Sequence, residues 1–69
     1  MRTTSLVTGR IYNPERCVNL LNPLQVSRYI KHGATLYDIL IGRDDKLVYV
    51  FDKDETRELF TKWVNHELD

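Results

Sequence analysis

The chain has 69 residues, equal numbers of acidic and basic side chains, 42% hydrophobic and 29% charged residues, and one cysteine. That composition describes one folded domain and excludes a disordered tail, a disulfide-stapled scaffold and both a strongly basic DNA binder and an acidic DNA mimic. A chain this short buries only about 60% of its unfolded surface, and zero net charge gives little self-repulsion, so self-association is expected. The segment "MRTTSLVTGR" lacks the apolar stretch of a signal peptide, and the longest apolar run is "LVYVF". The expectation is a domain that does not enter a membrane and resides in a reducing cytoplasm, where a lone cysteine is at home.

The charge is unevenly spread. Residues 1–37 hold five basic side chains against one acid, and residues 38–69 hold five against nine. The first nine residues are rich in Thr and Ser and fit a frayed end or an edge strand. "RIYNPERCVNLL" reads as two short extended pieces, Arg10–Tyr12 and Cys17–Leu20, around an Asn13-Pro14-Glu15 turn in which proline presets φ.

"LNPLQVSRYIKHGA" is the clearest helix. Asn22 suits the N-cap, Pro23 the first helical position, and Gln25 the third position of a capping box. Leu21 and Val26 have the spacing of a hydrophobic staple, and Gly33 suits the left-handed residue beyond the end. Val26, Tyr29 and Ile30 form its apolar stripe. Lys31 and His32 lie in the last turn, where positive charge suits the helix dipole.

"TLYDILIGRDDKLVYVFD" reads as a β-hairpin. With Gly42 opposite Leu47, Ile41 faces Val48 and Ile39 faces Val50. Tyr37, Ile39, Ile41, Val48 and Val50 then share one face. Leu36, Leu40, Leu47, Tyr49 and Phe51 share the other, with Asp38 among them. Both faces are largely apolar, and two helices cover only one. The other requires the N-terminal segment or another molecule. A last helix is expected from about Asp52 or Asp54 to about Glu67, with Asp52 and Glu55 as a capping box. Thr56, Leu59, Phe60, Trp63 and Val64 form its amphipathic face.

Little of this carries chemistry. Asp52, Asp54, Thr56 and Glu58 alternate like the start of a calcium loop. However, Arg57 stands where the sharp turn needs glycine, and Trp63 stands where a bidentate glutamate is needed. His32 and His66 have no metal-ligand spacing. Paired catalytic carboxylates need a cleft for which the chain has little room. The three glycines form no phosphate loop. No cofactor, metal or catalytic residue is therefore expected. Arg10, Arg16, Arg28 and Lys31 offer a basic patch around the first helix, which makes a nucleic-acid-binding regulator the alternative reading. A helix-turn-helix is disfavoured because the chain before Asn22 reads as extended.

Two blocks, "NPLQVSRYIKHGATLYDI" and "KLVYVFDKDETRELFTKWVNHEL", together covering about residues 18–68, resemble short, functionally uncharacterised proteins of prophages and mobile elements of Gram-positive bacteria. The shared pattern is an asparagine, a short helix ending in a Tyr-Ile-Lys-x-Gly-like turn, a Tyr/Asp strand, a Leu-Val-x-Val-Phe strand and a Thr-x-x-Leu-Phe-x-x-Trp helix. The resemblance implies an accessory protein acting in a bacterial host's cytoplasm. It transfers no activity. Proteins of this kind often bind and inhibit a host or anti-phage defence protein, in the manner of anti-CRISPR proteins. The expected fold is α+β, a small antiparallel sheet of three to four strands with two helices, in the order β(β)αββα. Leu40, Leu47 and Tyr49, grouped on the second sheet face, are the expected partner-binding residues.

Overall fold

A computed structural model describes residues 1–69. The chain runs through β1 (Thr3–Thr4), β2 (Ile11–Tyr12), β3 (Cys17–Leu20), α1 (Pro23–Lys31), β4 (Leu36–Ile41), β5 (Leu47–Asp52) and α2 (Arg57–Val64). β1 and β2 form a two-stranded antiparallel ribbon. The other strands form an antiparallel sheet in the order β3-β5-β4, so β5 is central and both β3 and β4 are edges. This is the α+β class expected. The two extended pieces around Asn13-Pro14 are present, but they do not pair with each other. One belongs to the ribbon and the other to the main sheet. Asn13 Oδ1 accepts from the Glu15 N–H and opens a single 3-10 turn over Pro14–Arg16 that separates them.

Helix α1 forms where its caps dictate. Asn22 Oδ1 accepts from the N–H groups of Leu24 and Gln25, which satisfies two of the four free donors at a helix start. Gln25 does not reach back to complete the box. Its Nε2 donates instead to the Tyr29 hydroxyl at 3.0 Å, one turn on and buried. Leu21 is 61% exposed, so no tight staple forms with Val26. At the far end Gly33 takes φ +90°, its N–H donates to Ile30 O, and Ala34 N–H donates to Tyr29 O. This double closure uses the last carbonyls and turns the chain into β4.

The hairpin register differs by one residue from the sequence expectation. Ile41 pairs with Leu47, Leu40 with Val48, Ile39 with Tyr49 and Asp38 with Val50. The turn decides this. Gly42 N–H donates to Lys46 O at 2.7 Å, which closes the loop between those two residues, and Asp44 and Asp45 both take left-handed φ near +58°. A Cβ on Gly42 would lie 2.9 Å from Val48 Cγ2, so glycine admits this close approach. An irregularity between Leu36 and Asp38 then shifts the ladder and puts Leu36 opposite Phe51. A one-residue slip exchanges the faces of one strand relative to the other, and the bulge reverses it for Leu36.

One face of the sheet therefore carries Val18, Leu20, Leu36, Ile39, Tyr49 and Phe51, and both helices pack there. Phe51 is fully buried, with Tyr29 edge-on at 5.6 Å between ring centroids. Val26 and Leu68 complete the buried cluster, with Ala34, Leu59 and Trp63 around it. Helix α2 is shorter than expected. Residues 53–56 form a turn, with Asp52 Oδ1 accepting from the N–H groups of Asp54 and Glu55. Glu55 does not close a box. It accepts from Thr35 N–H at 2.6 Å and so ties the turn to the start of β4. Thr56 is buried and donates to Asp52 O, but Phe60 and Val64 remain more than half exposed, so the predicted stripe is wider than the core can cover.

Candidate functional site

The second sheet face carries Cys17, Asn19, Asp38, Leu40, Val48 and Val50. The N-terminal ribbon lies across it. Asp38, only 5% exposed, holds the ribbon in place. Its Oδ1 accepts from Ser5 Oγ at 2.6 Å and from Ile39 N–H at 2.8 Å, and its Oδ2 accepts from the Tyr12 hydroxyl at 2.5 Å. Ser5 Oγ in turn accepts from Val7 and Thr8 N–H, which fixes the ribbon's own turn, and Thr8 Oγ1 donates to Tyr37 O. Tyr37 sits at the bulge, its ring 6.3 Å from that of Tyr12. The Ser5 and Tyr12 hydroxyls hold the Asp38 carboxyl below the usual range despite burial. The same bond, with burial, pushes Tyr12 up to about 12. The network is closed, and no side-chain polar atom in the protein is buried without a partner.

Two concave surfaces flank the ribbon. The first is a hollow of about 460 Å³ beside β4, where Leu6, Val7, Leu40 and Ile41 come together. Leu6 is fully exposed, Ile41 75% and Val7 62% exposed. No strand pairs with the outer edge of β4. The second is a cleft of about 350 Å³ whose lining includes Arg2, Ile11, Arg16, Cys17, Tyr37 and Asp52. Burial pushes the Cys17 thiol up, and Asp52 beside it adds to this, so the thiol stays protonated and poorly nucleophilic.

No known protein family, curated protein or solved structure matches this chain.

The expected partner-binding trio does not share a surface. Leu40 lies on the ribbon side, 42% exposed, whereas Leu47 and Tyr49 lie on the helix side. Tyr49 packs against the core cluster. The grouping fails because it assumed the other register. The four candidate nucleic-acid residues are also divided. Arg16 lines the ribbon-side cleft. Arg28 lies with its guanidinium carbon 5.7 Å from the centroid of Trp63, on the helix side, where Lys31 ends the same helix. Arg10 precedes β2 and is exposed. No hollow gathers all four.

His32 Nε2 contacts the Asp69 carbonyl at 2.9 Å, and His66 occupies a left-handed position after α2. No three His, Cys, Asp or Glu side chains are grouped to hold a metal ion, and no helix is long and apolar enough to cross a membrane. Sequence reasoning missed Ser5, Tyr12, Leu6, Ile41 and Leu68. One signal was available for the first two. An acid inside "LYDIL" that becomes buried needs donors, although nothing in the sequence selects Ser5 and Tyr12 to supply them.

Proposed function

We propose that this chain is a small non-enzymatic binding protein that adds an extended segment of a partner protein to the free edge of β4. The supporting observation is that no strand pairs with the outer edge of β4, and that its Ile41 end, beyond the Tyr37 carbonyl taken by Thr8 Oγ1, lies beside the hollow formed by Leu6, Val7, Leu40 and Ile41. Edge strands with exposed apolar side chains are templates for a further strand. In strand addition the main chain supplies affinity and flanking pockets supply selectivity. The resemblance to prophage and mobile-element proteins gives the context: a phage or element accessory protein in a bacterial cytoplasm, binding and inhibiting a host or anti-phage defence protein. No cofactor or metal enters this reading.

The best probe is Ile41, because it is 75% exposed, whereas Tyr49 supports the core. Capture from bacterial host lysate is expected to retain a protein that Ile41→Lys loses, while the variant keeps its circular dichroism and melting temperature. If Ile41→Lys retains the same protein at the same level, the β4 edge is not the binding surface. The same experiment run with tagged and untagged copies distinguishes a second copy of this chain from a foreign partner.

A further inference from the structure

The ribbon-side cleft carries charge that the fold does not use. Arg2 and Arg16 line it, and neither is ion-paired; the one ion pair in the molecule joins Arg57 to Asp54. Asp52 is the only acid on the lining, and its Oδ1 already accepts from two backbone N–H groups. Two arginines thus share the lining with one carboxylate, of which Oδ1 is engaged. The rest of the lining is mixed, with Ile11, Tyr12, Cys17 and Tyr37 as its apolar and aromatic part. Tyr37 is half-buried against Tyr12, and Ile11 is 62% exposed. Asn13 also lines the cleft. Its Oδ1 accepts from Glu15 N–H, which leaves its amide NH2 free to donate. The volume, about 350 Å³, is that of a small-molecule site.

We propose that this cleft binds a nucleotide, with the phosphate between Arg2 and Arg16 and the base against Tyr37 and Ile11. Guanidinium groups match phosphate oxygens in paired, charge-assisted hydrogen bonds. A base face stacks on an aromatic ring without requiring a particular sequence. The site is separate from Ile41 and stands or falls independently of the β4 edge. Free mononucleotide and the end of a single strand present the same chemistry, so the experiment includes both.

Adenosine monophosphate, a short oligothymidylate and inorganic phosphate are titrated into the full chain and followed by amide NMR. The alkylation rate of Cys17 is a second readout. The nucleotide or the oligonucleotide is expected to shift the amides of Arg2, Ile11, Cys17 and Tyr37 and to slow alkylation of the Cys17 thiol. Arg16→Ala and Arg2→Ala are each expected to weaken binding about tenfold, with the remaining amide spectrum intact. Lys31→Ala, on the helix side, is expected to leave it unchanged. Tighter binding of the oligonucleotide than of the mononucleotide identifies a strand as the ligand, and the reverse identifies a free nucleotide. Three results would overturn the proposal: no shift at the cleft with either probe, equal binding of inorganic phosphate, or an equal loss on Lys31→Ala.

Discussion

Asp38 is a charged residue inside an apolar strand, and three donors make its burial tolerable. A buried carboxylate without partners is strongly destabilising, whereas one accepting from Ser5, Tyr12 and Ile39 N–H is held in its charged form. Tyr12→Phe removes one donor and leaves the carboxylate under-satisfied. It is expected to lower the unfolding free energy by about 1–3 kcal/mol in urea titrations; an unchanged midpoint would show that the network does not hold the ribbon. The pH dependence follows from the two shifts. Asp38 is depressed from its ordinary 3.8, so its contribution is complete above that value and is lost as pH falls through its lower folded value. Tyr12 is raised from 10.0 to about 12, so its contribution is present below pH 10 and is lost as pH rises from there towards 12. Stability is therefore expected to form a plateau from weakly acidic to weakly alkaline pH. Melts of Tyr12→Phe should lose the alkaline shoulder.

At the scale of elements, α2 shows how local and tertiary signals divide the work. The pattern after Asp52 reads as one helix to about Glu67, because apolar side chains recur at helical spacing throughout. The structure confines the helix to Arg57–Val64. At its end His66 takes φ +57°, its N–H donates to Trp63 O, and Glu67 N–H donates to Lys62 O. That is the same double closure that Gly33 makes after α1, here with a side chain in the left-handed region. It turns the chain back so that Leu68, 2% exposed, fills the core beside Phe51. The left-handed conformation costs a non-glycine residue about 1–2 kcal/mol. His66→Gly is therefore expected to stabilise the protein by about 1 kcal/mol, or about 4–8 °C in melting temperature for a domain of this size. A lower melting temperature would mean that the His66 side chain contributes contacts outweighing its strain.

For the whole molecule, the N-terminal ribbon is what makes a two-faced sheet viable. Val50, on the face away from the helices, is only 2% exposed, and the ribbon is the element on that side. The expected self-association drew on zero net charge as well as on a second apolar face, and the ribbon covers the centre of that face. Along the β4 edge, Leu6, Val7, Leu40 and Ile41 stay exposed. A chain lacking residues 1–9 should expose Val50 and the Asp38 carboxylate together. In sedimentation it is expected to associate at concentrations where the full chain does not. Equal behaviour of the two chains would show that the ribbon shields nothing.

The sequence makes legible the α+β class, the rough order of elements, the start and stop of α1 and the absence of an internal disulfide. Each depends on local chemistry: Asn22 and Gly33 punctuate a helix wherever it lies, and alternating apolar residues make strands whatever they pair with. It also located the problem correctly, as a hairpin with too much apolar surface for two helices. Which side chains share a face was left to the fold, because the Gly42–Lys46 closure sets a register that differs by one residue from the simplest pairing, and the bulge at Tyr37 then returns Leu36 to the helix side. That single step separated Leu40 from Leu47 and Tyr49 and moved Asp38 to the side where Ser5 and Tyr12 await it. Contacts between residues 5 and 38, or 51 and 68, carry no periodic signature. They exist because a buried carboxylate needs donors and a small core needs one more apolar side chain, and the folded chain alone determines which residues meet those needs.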